Sequence, residues 1–187
     1  MKARRSASKA VGLLCVFFIL VFLVALTFNS NYPVLILAGE SSVGTWMSGV
    51  LLVVSATASM IISMRRGWLP WFFIAAFFFM LALDERFMFH ERMKEHIIFN
   101  ITHNVSRSRL LNELPVIVAA CVGVVVAFIL WRNLLHGRNR ILLFCAAILG
   151  TASVTVDVLA AGVLWEECFK LLAELSIACA LLGELEE

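Results

Sequence analysis

The run LALDERFMFHERMKEH, residues 81–96, sets Asp84, Glu85, His90, Glu91, Glu95 and His96 behind an uncharged stretch, Trp68 to Met80. Carboxylates and imidazoles are the side chains that hold hard or borderline divalent cations and that bind and pass protons. Acids recur at Asp157 and in WEECFKLLAE (165–174), which holds Glu166, Glu167, Lys170 and Glu174. Together Asp84, Glu85, His90, Glu91, Asp157, Glu166, Glu167 and Glu174 form a candidate metal-ligating set, and a divalent metal ion is the cofactor such a set would take. A di-iron bundle would need Glu-x-x-His pairs, whereas Glu85–His90 and Glu91–His96 are both five apart. No H-E-x-x-H, G-x-S-x-G, P-loop or G-x-G-x-x-G motif occurs. Asn100 and Asn104 open N-I-T and N-V-S, the glycosylation acceptor pattern, which has meaning only in a eukaryotic secretory pathway.

These polar groups must be positioned by strongly apolar elements. Of 187 residues 62% are hydrophobic and 15% charged, and the mean hydropathy is +0.97. Soluble domains run nearer half apolar and a quarter charged, so the composition is that of a membrane protein. The net charge of +2 is too small to suggest nucleic acid. Cys15, Cys121, Cys145, Cys168 and Cys179 lie in apolar segments without ligand spacing and read as small buried hydrophobes.

A spanning helix needs about 20 mostly apolar residues. The expected fold is all-α: one transmembrane bundle with six spans, at about 10–28, 45–63, 69–89, 115–132, 141–162 and 164–183. The sixth is charged in its first half, and the alternative for it is an amphipathic helix at the interface. Four basic residues precede the first span, and nine of the fifteen Lys and Arg fall on the same side as they do. That bias puts both termini in the cytoplasm. Trp46, Trp68, Trp71, Trp131 and Trp165 lie at expected span ends, where indoles prefer the membrane–water interfaces. On this map Glu184, Glu186 and Glu187 form a solvated cytoplasmic tail and His136 is a bystander. The other ten acids belong to the outer half.

At 100° per residue, Asp84, Met88, Glu91 and Glu95 share one stripe of the third helix, and Glu85, Arg92 and His96 another. Lys170 has three glutamates three or four residues away, a partly self-neutralising network. Gly150, Ser153, Asp157 and Ala161 form a small-residue face that would let a neighbouring helix approach. Helices 3, 5 and 6 are therefore expected to converge, with the others as a lipid-facing shell.

Three segments, GESSVGTW (39–46), LDERFMFHE (83–91) and WEECFKLLAE (165–174), resemble a group of uncharacterised bacterial multi-pass membrane proteins. The resemblance implies an inner-membrane location and a matching set of Thr45, Trp46, Asp84, Glu85, His90, Glu91, Glu166 and Glu167. The DE pair near a helix end also resembles the alkaline ceramidase superfamily of membrane hydrolases. Those enzymes use several histidines for zinc, some on late helices, and no histidine follows His136 here. The leading expectation is binding of a cation or protons for transport or sensing. The alternatives are a non-catalytic membrane subunit or stress/defence accessory protein, and a metal-dependent membrane-embedded enzyme. The lipid bilayer is the expected partner, and a second copy or another membrane protein stays open.

Overall fold

The computed structural model describes residues 12–21, 23–24, 27, 42–67, 69–89, 92–93, 96, 114–134, 136–158 and 163–185. They are all-α: α1 (Gly12–Val21), α2 (Val43–Arg66), α3 (Leu69–Phe87), α4 (Leu114–Asn133), α5 (Gly137–Val158) and α6 (Val163–Glu184). Helices thus lie over all six expected ranges. Two of them, α2 and α5 over Gly137–Val156, are long and apolar enough to cross a membrane. In α3 and α6 it is charge that interrupts the apolar run, through Asp84, Glu85 and Arg86 in one and Glu166, Glu167, Lys170 and Glu174 in the other.

Local chemistry sets the helix ends. The Ser42 hydroxyl accepts from the Thr45 amide and caps α2 at its start. At its end Gly67 adopts φ 60° and its amide closes on the Ser63 carbonyl, a left-handed cap that only glycine adopts freely. Pro70 sits in the first turn of α3, where no amide is needed. Met88 has φ 51°, a non-glycine residue in left-handed backbone, and it stops α3. The angular stripes expected to run from Asp84 to Glu95 and from Glu85 to His96 are broken there.

Packing departs from the expected arrangement. α6 lies along both α5 and α2, and α3 lies along α2. Phe18 of α1, Met47 and Leu51 of α2 and Leu171 and Ala178 of α6 form one apolar core. Ile62, Trp71, Ile74, Phe78, Leu130, Leu143 and Leu181 belong to a second, nearer the other ends of α2 and α6. Helix α2 is therefore central rather than shell, with Ser48, Ser55 and Ser59 buried on one face. Trp46, Trp131 and Trp165 are exposed at helix ends as expected, but Trp71 is fully buried beneath the Arg66 guanidinium. Cys168 and Cys179 are buried, whereas Cys121 and Cys145 are exposed, against expectation.

Close helix approach comes at Ser153 of the expected face, whose hydroxyl meets the α6 backbone, but not at Gly150. A methyl group added at Gly150 would meet nothing within 4 Å, whereas one at Gly183 would lie 2.7 Å from Asn139 Oδ1. Asn139 is buried and bonded to Glu184, so it cannot simply swing away. Gly183→Ala is expected to cost roughly 1–3 kcal/mol by overpacking. Gly150→Ala should leave stability unchanged or raise it by up to about 1 kcal/mol, through helix propensity. Thermal melting of the two variants beside the parent protein checks the contrast.

Candidate functional site

Helices α2, α3 and α6 bring together a polar cluster at the end where α2 and α6 begin and α3 finishes. Its centre is Lys170. The ammonium donates to Glu85 Oε1 at 3.0 Å, across the bundle, and to Glu167 Oε1 at 2.9 Å, one turn back on its own helix. The three side chains are 27%, 22% and 14% exposed, so the triad is only partly wet. One turn further along α6, Ser48 Oγ donates to Glu174 Oε1 at 2.8 Å. The second oxygen of Glu174 is buried and makes no hydrogen bond. Side chains on a helix lean toward its N-terminus, which carries the Glu174 carboxyl toward Lys170. On the neighbouring side, Ser153 Oγ of α5 donates to the Glu166 carbonyl at 3.0 Å and ties α5 to the first turns of α6.

The expected site is thus brought together in part. Glu85, Glu167 and Glu174 converge around Lys170, and α3 reaches this cluster through Glu85 rather than Asp84, which is half-buried beside it. Glu166 contributes its backbone carbonyl to the α5 contact. Asp157 lies in α5, but its side chain is outside the described residues, as are His90 and Glu91. Among the described residues no three His, Cys, Asp or Glu side chains form a group that could hold a metal ion. The donor chemistry explains this for the central three, since the Lys170 ammonium stands between Glu85 and Glu167 where a cation would bind. Ser48 is a member that sequence reasoning passed over. Its signal was the recurrence of serine at 48, 55 and 59, all on one face of α2.

A second polar cluster lies at the opposite end. Glu184, expected in a solvated tail, is fully buried. Its Oε1 accepts from Arg66 Nη2 at 3.0 Å and its Oε2 from Asn139 Nδ2 at 2.8 Å. His136 Nδ1, expected to be a bystander, is 3.6 Å from the same carboxylate. Arg65 Nη1 donates to the Leu185 carbonyl at 3.0 Å. The ends of α2 and α6 and the start of α5 are held together by this one carboxylate, because a buried charge persists only when paired and hydrogen-bonded.

Fold and clusters define an all-α protein built from apolar helices, two of them long and apolar enough to cross a membrane, with ion pairs between the helices. Residues 10–185 match the family described as a domain of unknown function, DUF8692, and the chain belongs to that family. No curated protein and no solved structure matches the chain.

Proposed function

We propose that this chain is a six-span bacterial inner-membrane protein whose outer-half cluster binds a proton at Glu174, in transport or sensing, with Lys170 as the built-in counter-charge. The observation that carries the reading is the Glu174 carboxyl, bonded to Ser48 through one oxygen and bare at the other, beside an ammonium already held by Glu85 and Glu167. An ionisable residue inside a spanning segment is expensive to bury and marks a functional site by default. A proton fits the bare oxygen better than a metal ion would, because the Lys170 ammonium repels a divalent ion more strongly than a single proton and its own charge is already taken up by Glu85 and Glu167.

Six spans are favoured by the outward faces. Leu13, Phe73, Met80, Val124, Phe128, Ile141 and Phe144 are all exposed. Water would penalise so much apolar surface, and lipid would not. Helices α2 and α6 run in the same direction, since Ser48 meets Glu174 and Arg66 meets Glu184. That direction agrees with an even-numbered span pointing inward in each case. Reporter fusions after Arg66, Arg140 and Glu187 should report cytoplasm, and one after Asn104 the outside. A Glu187 fusion reporting outside would remove α6, and with it Glu174, from the membrane.

The proton itself is tested by infrared titration of the protein in liposomes. A band from a protonated carboxyl should appear within the accessible pH range, vanish in Glu174→Gln and persist in Asp84→Asn. A spectrum that Glu174→Gln leaves unchanged sinks the proton reading. Chelator added to the unmutated protein should not change its melting temperature, whereas a metal-held cluster would lose stability on metal removal.

A further inference from the structure

Between α2 and α3 lies an open cavity of about 540 Å3, in the size range of ligand sites. One wall is Thr45, Gly49 and Val53 of α2, at the i, i+4 spacing of a single helix face; the other is Phe79, Leu83 and Arg86 of α3. Gly49 lines the groove, and a methyl group there would meet nothing within 4 Å. Its walls are apolar except at one end, where Arg86 stands with Ser42 and Thr45. The guanidinium makes no hydrogen bond or ion pair among the described residues and is exposed. Asp84 and Glu85 fall about 200° and 100° round the helix from it, and Glu85 is already paired with Lys170.

We infer that this groove is a binding site for one anionic phospholipid of the outer leaflet, its acyl chain along Gly49 and its phosphate on Arg86. The inference rests on the membrane placement proposed above. Length and polarity both select this occupant. Thr45 and Val53 are eight residues apart, which is about 12 Å along a helix, close to the ~15 Å half-thickness of the hydrocarbon core. Arg86 marks the headgroup end and the apolar walls run from it toward the midplane, the polarity profile of one leaflet. A guanidinium pairs with a phosphate by parallel charge-assisted hydrogen bonds, and an anionic headgroup such as that of phosphatidylglycerol has no amine of its own to compete for that phosphate.

The test is native mass spectrometry of protein released from nanodiscs of phosphatidylcholine containing a minor fraction of phosphatidylglycerol. The unmutated protein should retain one phosphatidylglycerol. Arg86→Gln should lose that preference by about tenfold, the factor that ~1.4 kcal/mol of charge-assisted bonding represents. Its melting should be unaffected, since the side chain is exposed and unpaired. Gly49→Phe should fill the groove and abolish retention of both lipids. Equal retention by all three proteins overturns the lipid site, and so does retention of neither lipid by the unmutated protein. Alkaline carbonate extraction separates the two levels: a chain that stays in the membrane but retains no lipid loses only this inference, whereas a chain that is extracted loses the membrane reading as well.

Discussion

Lys170→Met is expected to destabilise the fold by roughly 3 kcal/mol or more, the cost of stripping a buried carboxylate of its partner. The triad is less than one-third exposed, which puts the loss at the lower end of the range for fully buried pairs. Two carboxylates, Glu85 and Glu167, would face each other without the ammonium that now bridges them at 3.0 and 2.9 Å. Their repulsion would push α3 away from α6, since Glu85 is the contact between them at this end. The diagnostic result is rescue. Lys170→Met combined with Glu85→Gln and Glu167→Gln should recover most of the loss, because an uncharged trio has nothing to compensate. Thermal melting of the single and triple variants measures both effects. A triple variant no more stable than Lys170→Met alone would show that the helices meet through packing and that the charges are incidental.

Glu184→Ala is the second large effect, about 3 kcal/mol, the lower end of the range for buried pairs because the Arg66 side chain is 28% exposed. The carboxylate is fully buried, and its removal leaves the buried Asn139 amide without its acceptor and takes from Arg66 its bond to this carboxylate. Glu184→Gln should cost less, since an amide oxygen still accepts from one partner while the charge on Arg66 goes uncompensated. The companion variant Arg66→Met should be partly non-additive with Glu184→Ala, because the two share one interaction. A double-mutant cycle read by melting tests this. Full additivity would mean that Arg66 acts through its stacking on Trp71 rather than through Glu184.

The contrast between these two clusters shows what hydropathy and helical angles convey. The helix positions were readable because apolar runs of span length admit few alternatives, and Lys170–Glu167 followed from i,i+3 spacing on one element. Glu85 falls on a second stripe with Arg92 and His96, while Asp84 lines up with Glu91 and Glu95. That alignment assumed a continuous helix, which the left-handed backbone of Met88 ends. The serines of α2 carry no charge to mark them in an apolar helix, and the role of Ser48 appears only when Glu174 is set against it. Glu184 was misread for a related reason. The segment GELEE reads as a polar tail, and its partners Arg66, Asn139 and His136 come from elements far away in the chain. No period along one helix encodes a contact of that kind.

The position of α6 at the centre of the bundle bears on how the protein is made. Its partners on α2, Ser48 above and Arg66 below, are synthesised more than a hundred residues before Glu174 and Glu184. Until α6 emerges from the ribosome, the buried serine face of α2 has no carboxylate to meet, and the Met47–Leu51 surface has no Leu171 or Ala178 to cover it. On the membrane placement proposed above, such long-range pairing makes assembly slow compared with insertion of the separate helices. The early helices would then wait as a loose, incompletely packed intermediate. A nascent chain stalled before Val163 should therefore be a preferred target for membrane quality-control proteases, and release of α6 should end that vulnerability in a single step.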